Sequence, residues 1–388
     1  MPDPATVLFV HSSSGRYGAD RQLHLLATSL DRDRFAPLVA LPAEGPLADD
    51  LRRAGVEVLV RPVSVIRREL ATPLGIVSVA TGAAREGVAL GRLARHRGVA
   101  LVHSNTSVVL SGAAAAAASR VPHVWHVREI YSRFGRVWPA YRTLLGTASA
   151  LPCVSHAAAA QFRRSDPVHV IPDGLAADPV RAPRAAARAT LGLDGEVPVI
   201  AVLGRISDWK GQDVLVRALA EPPLRDRGAV ALIAGDAWPG AEQRAAGVLS
   251  VASAAGVSER VRMIGFRDDV ETVLGAADVI AVPSTAPDPL PGSAIEAAAA
   301  GCAVIASAGG GLPEIIRDRQ TGRLVAPGDP LALAQAAAEL LDDPDERERL
   351  GAAASLDVRE RFAAPRLLDQ IQDLYDSLLA GGRSPRRR

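Results

Sequence analysis

Lysine is almost absent from this chain of 388 residues, because Lys210 is the only one and arginine supplies the remaining positive side chains. The charges nearly balance, with a formal net charge of +1 and 22% charged residues. So weak a net charge argues against a protein that gathers nucleic acid along its surface. Where arginine is the rule, the position of the single lysine is informative.

Cysteine is also scarce, since Cys153 and Cys302 are the only two. Both stand in apolar runs typical of buried strands, which predicts small core residues in a reducing compartment and argues against a disulfide framework or a zinc site. The alanine-rich stretches at 111–119 and 294–306 fall short of the ~20 apolar residues of a membrane-spanning helix. The N-terminus resembles a first core strand more than a secretory leader. We therefore expect a cytoplasmic protein, with peripheral membrane contact as the alternative.

Short apolar runs rich in β-branched residues alternate with helix-length segments along the whole chain, which predicts doubly wound α/β structure. The length favours two domains, and we predict the first over 1–175 and the second over 176–364, followed by a C-terminal helix and a basic, disordered tail over 365–388. The segment 173–195 is predicted to be the linker. Two sheets in tandem should leave a cleft between them. The predicted strands lie at 7–10, 37–42, 56–60, 100–104, 123–127, 152–155, 168–172, 197–204, 229–236, 261–266, 278–284, 303–307 and 322–327.

The first informative loop follows the strand at 197–204 and contains Arg205 and Lys210, just before a helix that should begin near Gln212. Two cations beside the unpaired amides of a helix N-terminus suit a diphosphate, because fixed charge and helix dipole favour the same anion. The alternative is a solvated loop with two surface cations. The choice of lysine favours the phosphate interpretation, because a point charge on a flexible stem is a common phosphate partner.

The second informative stretch follows the strand at 278–284 and contains two acids, Asp288 and Glu296, separated by seven residues. Asp288 should lie in the loop and Glu296 about one turn into a helix that Gly292 opens. The amides of Gly292 and Ser293 are predicted to lack helical partners and to be available to a phosphate oxygen. Glu296 would meet a sugar or ribose hydroxyl, or else be an ordinary surface acid of a helix.

These motifs resemble glycosyltransferase family 4. The resemblance covers nearly the whole C-terminal half and includes the following segments in order: Gly204-Arg205, Lys210-Gly211, IAGD at 233–236, GFRDDV at 265–270, Asp288 with Glu296, GGGLPEII at 309–316 and TGRLVAPGD at 321–329. It implies the GT-B fold, in which two Rossmann-like domains face a central cleft and a C-terminal helix crosses back to the N-terminal domain. It also implies sugar transfer from a nucleotide-sugar donor, linked to UDP or GDP, with retention at the anomeric carbon.

Roles for individual residues follow from the resemblance. Arg205 and Lys210, with the Gly292 and Ser293 amides, would bind the donor diphosphate, and Glu296 would bind the ribose. Asp288 takes the place of the family's first glutamate, and Leu290-Pro291 stands where the family often has Phe-Gly. The acid is thus one methylene shorter than usual at the position that the resemblance makes catalytic.

Five further candidate site residues rest on weaker signals. The glycine-rich segment at 12–23 resembles the family's first loop, which would bring the backbone of Gly18 and Ala19 to the donor phosphates. The segment at 124–130 resembles the one that presents a histidine to the sugar, so His126 is the second catalytic candidate, with a structural histidine in a buried strand as the alternative. Phe266 and Arg267, at a strand end, are predicted neighbours of the base.

The resemblance implies chemistry without a metal or other cofactor, because Arg205 and Lys210 would carry the charge of the leaving diphosphate. The acceptor would be a carbohydrate, a lipid-linked compound or a small molecule. Basic and aromatic residues at 128–142 would meet a membrane-borne acceptor or form a mobile loop. The sequence leaves two other kinds of protein open: a non-catalytic relative that binds a nucleotide sugar, and a sugar-nucleotide epimerase.

Overall fold

The computed structural model describes residues 3–66, 73–132, 134–238 and 240–381. The chain forms two compact units, the first made of Met1–Ala176 together with Ala364–Arg388 and the second of Ala177–Ala363. Among the described residues, no helix has both the length and the apolar composition that a membrane crossing requires.

The first unit contains a five-stranded parallel sheet in the order β3-β2-β1-β4-β5 and a two-stranded parallel sheet, β6-β7. Its strands are β1 (Ala5–Val10), β2 (Phe35–Leu41), β3 (Glu57–Val60), β4 (Val99–Ser104), β5 (His123–Trp125), β6 (Leu151–Cys153) and β7 (Val168–Val170). Before the second unit its helices are α1 (Gly18–Ser29), α2 (Pro46–Arg53), α3 (Pro73–His96), α4 (Leu110–Ser119), α5 (Trp138–Leu145) and α6 (His156–Ala159).

The second unit contains a six-stranded parallel sheet in the order β10-β9-β8-β11-β12-β13. Its strands are β8 (Val199–Leu203), β9 (Val230–Ala234), β10 (Val261–Gly265), β11 (Val279–Val282), β12 (Val304–Ser307) and β13 (Arg323–Val325). Its helices are α7 (Arg184–Thr190), α8 (Gln212–Ala220), α9 (Pro222–Arg225), α10 (Gln243–Ala254), α11 (Val270–Ala276), α12 (Gly292–Ala299), α13 (Leu312–Ile315), α14 (Pro330–Asp342) and α15 (Pro344–Arg361).

Both large sheets have the strand order of doubly wound Rossmann-like domains, which confirms the predicted fold class. Each of the thirteen predicted strands overlaps an observed one. The strand order reverses between β1 and β4 in the first unit and between β8 and β11 in the second. Open α/β sheets bind ligands outside the carboxyl ends of the strands at such a reversal. The loops after these four strands are therefore the expected places for ligands.

The last helix, α16 (Ala364–Gly381), belongs to the first unit. It buries Leu367, Ile371, Leu374 and Tyr375 in the core that contains Phe9 and Leu26. The spacing of these positions places them along one side of the helix, and burying a large apolar side chain contributes about 1.5–3 kcal/mol. The predicted return of the C-terminal helix to the first domain is thus confirmed. The tail at 382–388, predicted to be disordered, lies outside the described residues.

The predicted linker at 173–195 is too long, because residues 184–190 within it form α7. The guanidinium of Arg188 is buried there and donates to Asp278 at 3.0 Å and to the carbonyl of Val197 at 2.8 Å. Alanine and arginine in this segment therefore reflect a packed helix of the second unit. Both cysteines are free and buried, and burial raises the pKa of the Cys153 thiol to about 12 and that of Cys302 to about 11.

Candidate functional site

The loops after β8 and β11 meet at the strand-order reversal of the second unit. Lys210, in the loop after β8, donates from Nζ to Oδ2 of Asp288, in the loop after β11, at 2.7 Å. The Ser284 hydroxyl donates to the same oxygen at 3.2 Å. Asp288 is buried, whereas about a fifth of the Lys210 side chain is exposed (21%). The structure therefore brings two predicted site residues together and leaves the cation open to a further anion.

Close backbone approach explains why glycines occur in and around these loops. Gly211 adopts φ +75°, and a Cβ added to it would lie 1.9 Å from the carbonyl oxygen of Pro283. Gly310 adopts φ +61°, and its Cβ would lie 2.2 Å from the carbonyl oxygen of Asp288, which also accepts from the Gly311 amide at 2.7 Å. Only glycine tolerates such conformations and contacts at once. The glycine run at 309–311 thus supports the loop that carries Asp288.

Arg205 lies just after β8, and its guanidinium stacks on the Trp238 ring at 3.3 Å from the ring centroid. A cation over an indole face is attracted by the ring quadrupole, which restricts where the guanidinium points. Trp238 was not predicted from the sequence as a neighbour of Arg205. Its position four residues after β9 was the available signal, since aromatic side chains just beyond a strand often line a site.

The helix α12 begins at Gly292, as predicted. Gly292 is exposed and Ser293 half-buried, so the amides of this first turn lie near the surface. A helix leaves its first amides without intrahelical partners, and here the preceding residue, Pro291, adds no side-chain cap. Glu296 lies in the second turn and is half-buried. The helix therefore starts where the sequence predicted, with its first amides near the surface.

The predicted base neighbours follow β10. Phe266 and Arg267 are both half-buried, and Arg267 forms a forked ion pair with Asp269, with Nε at 2.7 Å from Oδ1. Next to this strand end lies a cavity of about 420 Å³ lined by Ile206, Gly235, Asp236, Ala237, Glu242, Ala245, Met263 and Gly265. Its lining residues come from the loops after β8 and β9, from the start of α10 and from β10. Neither Phe266 nor Arg267 is among those lining residues.

In the first unit, the loop after β1 leads to Gly18 and Ala19, which open α1. A buried network supports this loop: Asp20 bonds to His11 at 2.8 Å, to the Ser13 hydroxyl and to the Tyr17 amide at 2.9 Å. Burial acts to raise the pKa of Asp20, but these hydrogen bonds outweigh it and hold the pKa below its usual value. Asp20 is therefore a carboxylate that fixes the loop, and the backbone of Gly18 and Ala19 lies at its end.

His126 follows β5 directly and is fully buried. Its Nδ1 lies 3.3 Å from Nε2 of His103, and its own Nε2 has no hydrogen-bond partner among the described residues. Burial, then the charge of Arg128, hold the pKa of His126 well below its usual value, so the ring is neutral. A buried polar atom without a partner costs about 1–3 kcal/mol, which distinguishes His126 from a fully satisfied structural histidine.

A second cavity, of about 300 Å³, lies in the first unit between α1 and α2. It is lined by Gly15, Arg16, Asp20, Arg21, His24, Leu47, Asp50, Arg53 and Ala176. Arg16 donates to Asp50 through Nε at 3.0 Å, and Arg53 also pairs with Asp50. Three arginines therefore face two carboxylates, which leaves the lining with a net positive charge. Such a lining favours an anionic group.

The aromatic residues of the segment at 128–142 pack on one another. The Tyr131 ring lies 4.9 Å from that of Trp138 and 4.6 Å from that of Phe134. Arg128 is nearly buried and pairs with Asp173, so it is not a surface cation as the membrane interpretation assumed. Burial raises the pKa of Asp173, and Arg128 acts against that effect. Arg133 lies outside the described residues.

Comparison with known proteins places the chain in a family. A model described as Glycosyltransferase Family 4 matches residues 17–178, and one described as Glycosyl transferases group 1 matches residues 183–357. The two matches together cover both units. The chain belongs to the family 4 glycosyltransferases, and its second half matches the group 1 type.

Two curated relatives share the name D-inositol 3-phosphate glycosyltransferase. The protein of Nocardia farcinica is 39% identical over 194 residues, covering 49% of this chain and 43% of the relative. That of Streptomyces coelicolor is 38% identical over 180 residues, covering 44% and 39%. The chain therefore spans less than half the length of these curated relatives.

Among solved structures, Anabaena HepE in complex with UDP and glucose matches with a TM-score of 0.82 and 27% identity, covering 96% of this chain and 99% of that one. Sucrose-phosphate synthase from Thermosynechococcus elongatus matches with a TM-score of 0.75, covering 97% and 100%, and at 22% identity it supports the fold alone. The fold is of the GT-B type.

Proposed function

We propose that the chain is a retaining glycosyltransferase that moves a sugar from a nucleoside diphosphate, UDP in the first place, to a hydroxyl of a carbohydrate, lipid-linked or small-molecule acceptor. The observation that carries the proposal is the ion pair of Lys210 and Asp288 across the strand-order reversal of the second unit. The complexes of HepE with UDP and with UDP-glucose support the choice of nucleotide. GDP remains the other candidate.

Charge on the leaving diphosphate is what this site would stabilise. As the bond from the sugar to the phosphate breaks, negative charge grows on the phosphate oxygens while the sugar becomes cationic. Arg205, Lys210 and the amides of Gly292 and Ser293 would donate hydrogen bonds to those oxygens. Donors held in place before the reaction are worth most, because they need no reorganisation as the charge develops. The stacking of Arg205 on Trp238 and the bond from Lys210 to Asp288 restrict both cations in this way.

The sugar would be oriented by Asp288 and His126. Asp288 keeps one carboxylate oxygen on Lys210 and Ser284, so its other oxygen would accept from a sugar hydroxyl. With retention, the acceptor hydroxyl attacks from the face that the diphosphate leaves, and a phosphate oxygen would take its proton. The positive lining of the cavity between α1 and α2 favours an acceptor with an anionic group, and the relatives' name includes a phosphorylated polyol.

Nucleotide binding gives the direct test. A ligand that binds only the folded state raises stability by about 2.7 kcal/mol at a hundred times its Kd, so UDP and UDP-glucose should raise the melting temperature in a thermal-shift screen against GDP, GDP-mannose and ADP. Glu296→Gln should weaken UDP binding measured by calorimetry, because a ribose hydroxyl loses a charged acceptor. Glu348→Gln, an exposed change on α15, is the matched control. No shift with any nucleotide would contradict the proposal, and unchanged affinity of Glu296→Gln would remove the ribose role.

Transfer should proceed without a divalent cation, because Arg205 and Lys210 would neutralise the leaving group. We expect the same initial rate from UDP-glucose with EDTA as with Mg²⁺ or Mn²⁺. In the described residues, no group of three or more His, Cys, Asp or Glu side chains is arranged to hold a metal ion. A rate that collapses with EDTA and returns with one metal would contradict the proposed role of the cations. Binding of UDP-glucose without hydrolysis or transfer would instead favour the non-catalytic relative.

A further inference from the structure

Three buried side chains of the first unit form a hydrogen-bonded chain that ends at His126. The Tyr375 hydroxyl of α16 lies 2.5 Å from Nδ1 of His103 in β4, and Nε2 of His103 lies 3.3 Å from Nδ1 of His126. All three side chains are fully buried. At the far end of these hydrogen bonds, Nε2 of His126 has no partner in the part of the protein that the structure describes.

The hydrogen bonds of Tyr375, His103 and His126 can be donated in either of two directions, or polarities. The tyrosine hydroxyl decides between them. Within the described residues, the Tyr375 hydroxyl bonds only to His103. If His103 donated from Nδ1, the Tyr375 hydroxyl hydrogen and the bare Nε2 of His126 would both be buried without a partner among the described residues, whereas the opposite polarity leaves only the Nε2–H of His126 unpaired. The favoured polarity therefore has Tyr375 donating to Nδ1 of His103. A neutral imidazole carries one proton, so His103 then donates from Nε2 to His126.

The neutrality of both rings is secured by their surroundings. Burial, followed by the charge of Arg128, lowers the pKa of each ring well below its usual value. A doubly protonated ring, which would donate from both nitrogens and erase the polarity, is therefore excluded at neutral pH. The proton of His126 must then be on Nε2, because its Nδ1 accepts from His103.

We propose that Tyr375 and His103 are positioning residues that hold His126 in its Nε2–H tautomer, so that its unpartnered N–H donates to an oxygen of the bound sugar. The identity of the acceptor as a sugar rests on the proposed function, whereas the tautomer of His126 rests on the buried hydrogen bonds alone. A sugar oxygen would satisfy the buried Nε2–H of His126. Because this group can only donate, it selects a sugar oxygen that accepts a hydrogen bond. The C-terminal helix thereby contributes Tyr375, which acts on the reaction through His103 and His126 without touching the substrate.

The tautomer is tested on the full chain by ¹⁵N-histidine NMR, because the ring nitrogens with and without hydrogen resonate far apart. We expect His126, assigned by comparison with His126→Gln, to show a protonated Nε2 and a bare Nδ1. Tyr375→Phe keeps the ring, which packs against Phe35 at 5.5 Å, but removes the donor that sets the polarity. With the two polarities close in energy, roughly half of the molecules should carry the His126 proton on Nδ1.

Kinetics of the same variant give the second readout. The value of kcat should fall about twofold, in proportion to the fraction of His126 that keeps Nε2–H, while KM for UDP-glucose stays unchanged. Tyr141→Phe is the matched control, since its buried hydroxyl donates to the carbonyl of Ser107 instead of to a histidine. A wild-type His126 protonated on Nδ1, or a tautomer unchanged in Tyr375→Phe, would overturn the proposal. The NMR result needs no substrate, so it stands apart from a failure to detect transfer.

Discussion

Replacing Lys210 with alanine is expected to lower the rate of sugar transfer by about 10² to 10³, the range seen when one donor to a developing charge is removed. Lys210 is the only lysine in the chain, and its Nζ sits at the carboxyl end of β8, 2.7 Å from Asp288. The loss has two parts. The leaving diphosphate loses a cation, and Asp288 loses the partner that fixes its carboxylate.

The measurement is the turnover of UDP-glucose by Lys210→Ala beside Arg217→Ala. Arg217 lies on α8, and its pair with Asp213 is exposed and 3.4 Å long, so its removal costs at most about 1 kcal/mol and should leave transfer unchanged. Lys210→Arg keeps the charge on a planar, forked group and should recover part of the activity only. Turnover by Lys210→Ala within threefold of wild type would show that this cation is not part of the site.

Stability has to be measured on the same variant. Asp288 is buried, and breaking a fully buried ion pair costs about 3–5 kcal/mol because one charge is left uncompensated. The cost here should be smaller, because Lys210 is partly exposed and Ser284 still donates to Asp288. Urea unfolding at the assay temperature separates a folded protein that has lost its donor from one that has lost its structure.

Between pH 7 and pH 5, protonation of three buried histidines in the unfolded chain is expected to cost about 2 kcal/mol of stability for each, or about 6 kcal/mol together. Burial lowers the pKa of His123 to about 3 and those of His103 and His126 well below their usual value. A histidine with a lowered folded pKa stays neutral as the pH falls, whereas in the unfolded chain it takes up a proton below pH ~6.5. Stability is therefore present above that pH and is lost as the pH falls through it.

Two buried carboxyl groups also contribute to the pH dependence of stability. Burial raises the pKa of Glu129 and, against Arg128, that of Asp173. A carboxyl with a raised pKa takes up its proton earlier in the folded state, so it recovers stability on acidification and acts against the loss from the histidines. The histidine contribution is therefore obtained by comparing histidine variants with the wild type at pH 7 and pH 5, by urea unfolding at each value.

Single substitutions assign the effect. His123→Gln should remove about a third of the loss on acidification, even though it also removes the bond of His123 to the Ser104 hydroxyl at 3.0 Å. His169→Gln is the matched control because His169 is exposed and should leave the pH dependence unchanged. A change in unfolding free energy between pH 7 and pH 5 that is the same in His123→Gln as in the wild type would contradict the neutral, buried state of His123. The same outcome for His126→Gln would contradict the neutral ring on which its tautomer depends.

Local sequence was sufficient for the fold and for the place of the donor loops. The thirteen strands could be predicted because a strand in a parallel sheet is a short apolar run whatever it later packs on. Arg205 and Lys210 could be placed at a strand end because the strand, the glycines and the start of α8 follow one another within about a dozen residues. The helix α7 was missed in 173–195, because its alanines and arginines gave no clear apolar side.

The sequence by itself determined two Rossmann-like units, the family, and the loops that would hold a diphosphate. Only the tertiary structure decided what surrounds those residues: Trp238 under Arg205, Gly310 against the Asp288 backbone, and Tyr375 bonded to a histidine 272 positions earlier. The physical reason is distance along the chain. Hydrophobic periodicity and turn chemistry depend on near neighbours, whereas the direction of a side chain and the proton it carries depend on groups that packing brings together. Lys210 was informative as a lone residue, and its ion pair with Asp288 became visible only in the folded chain.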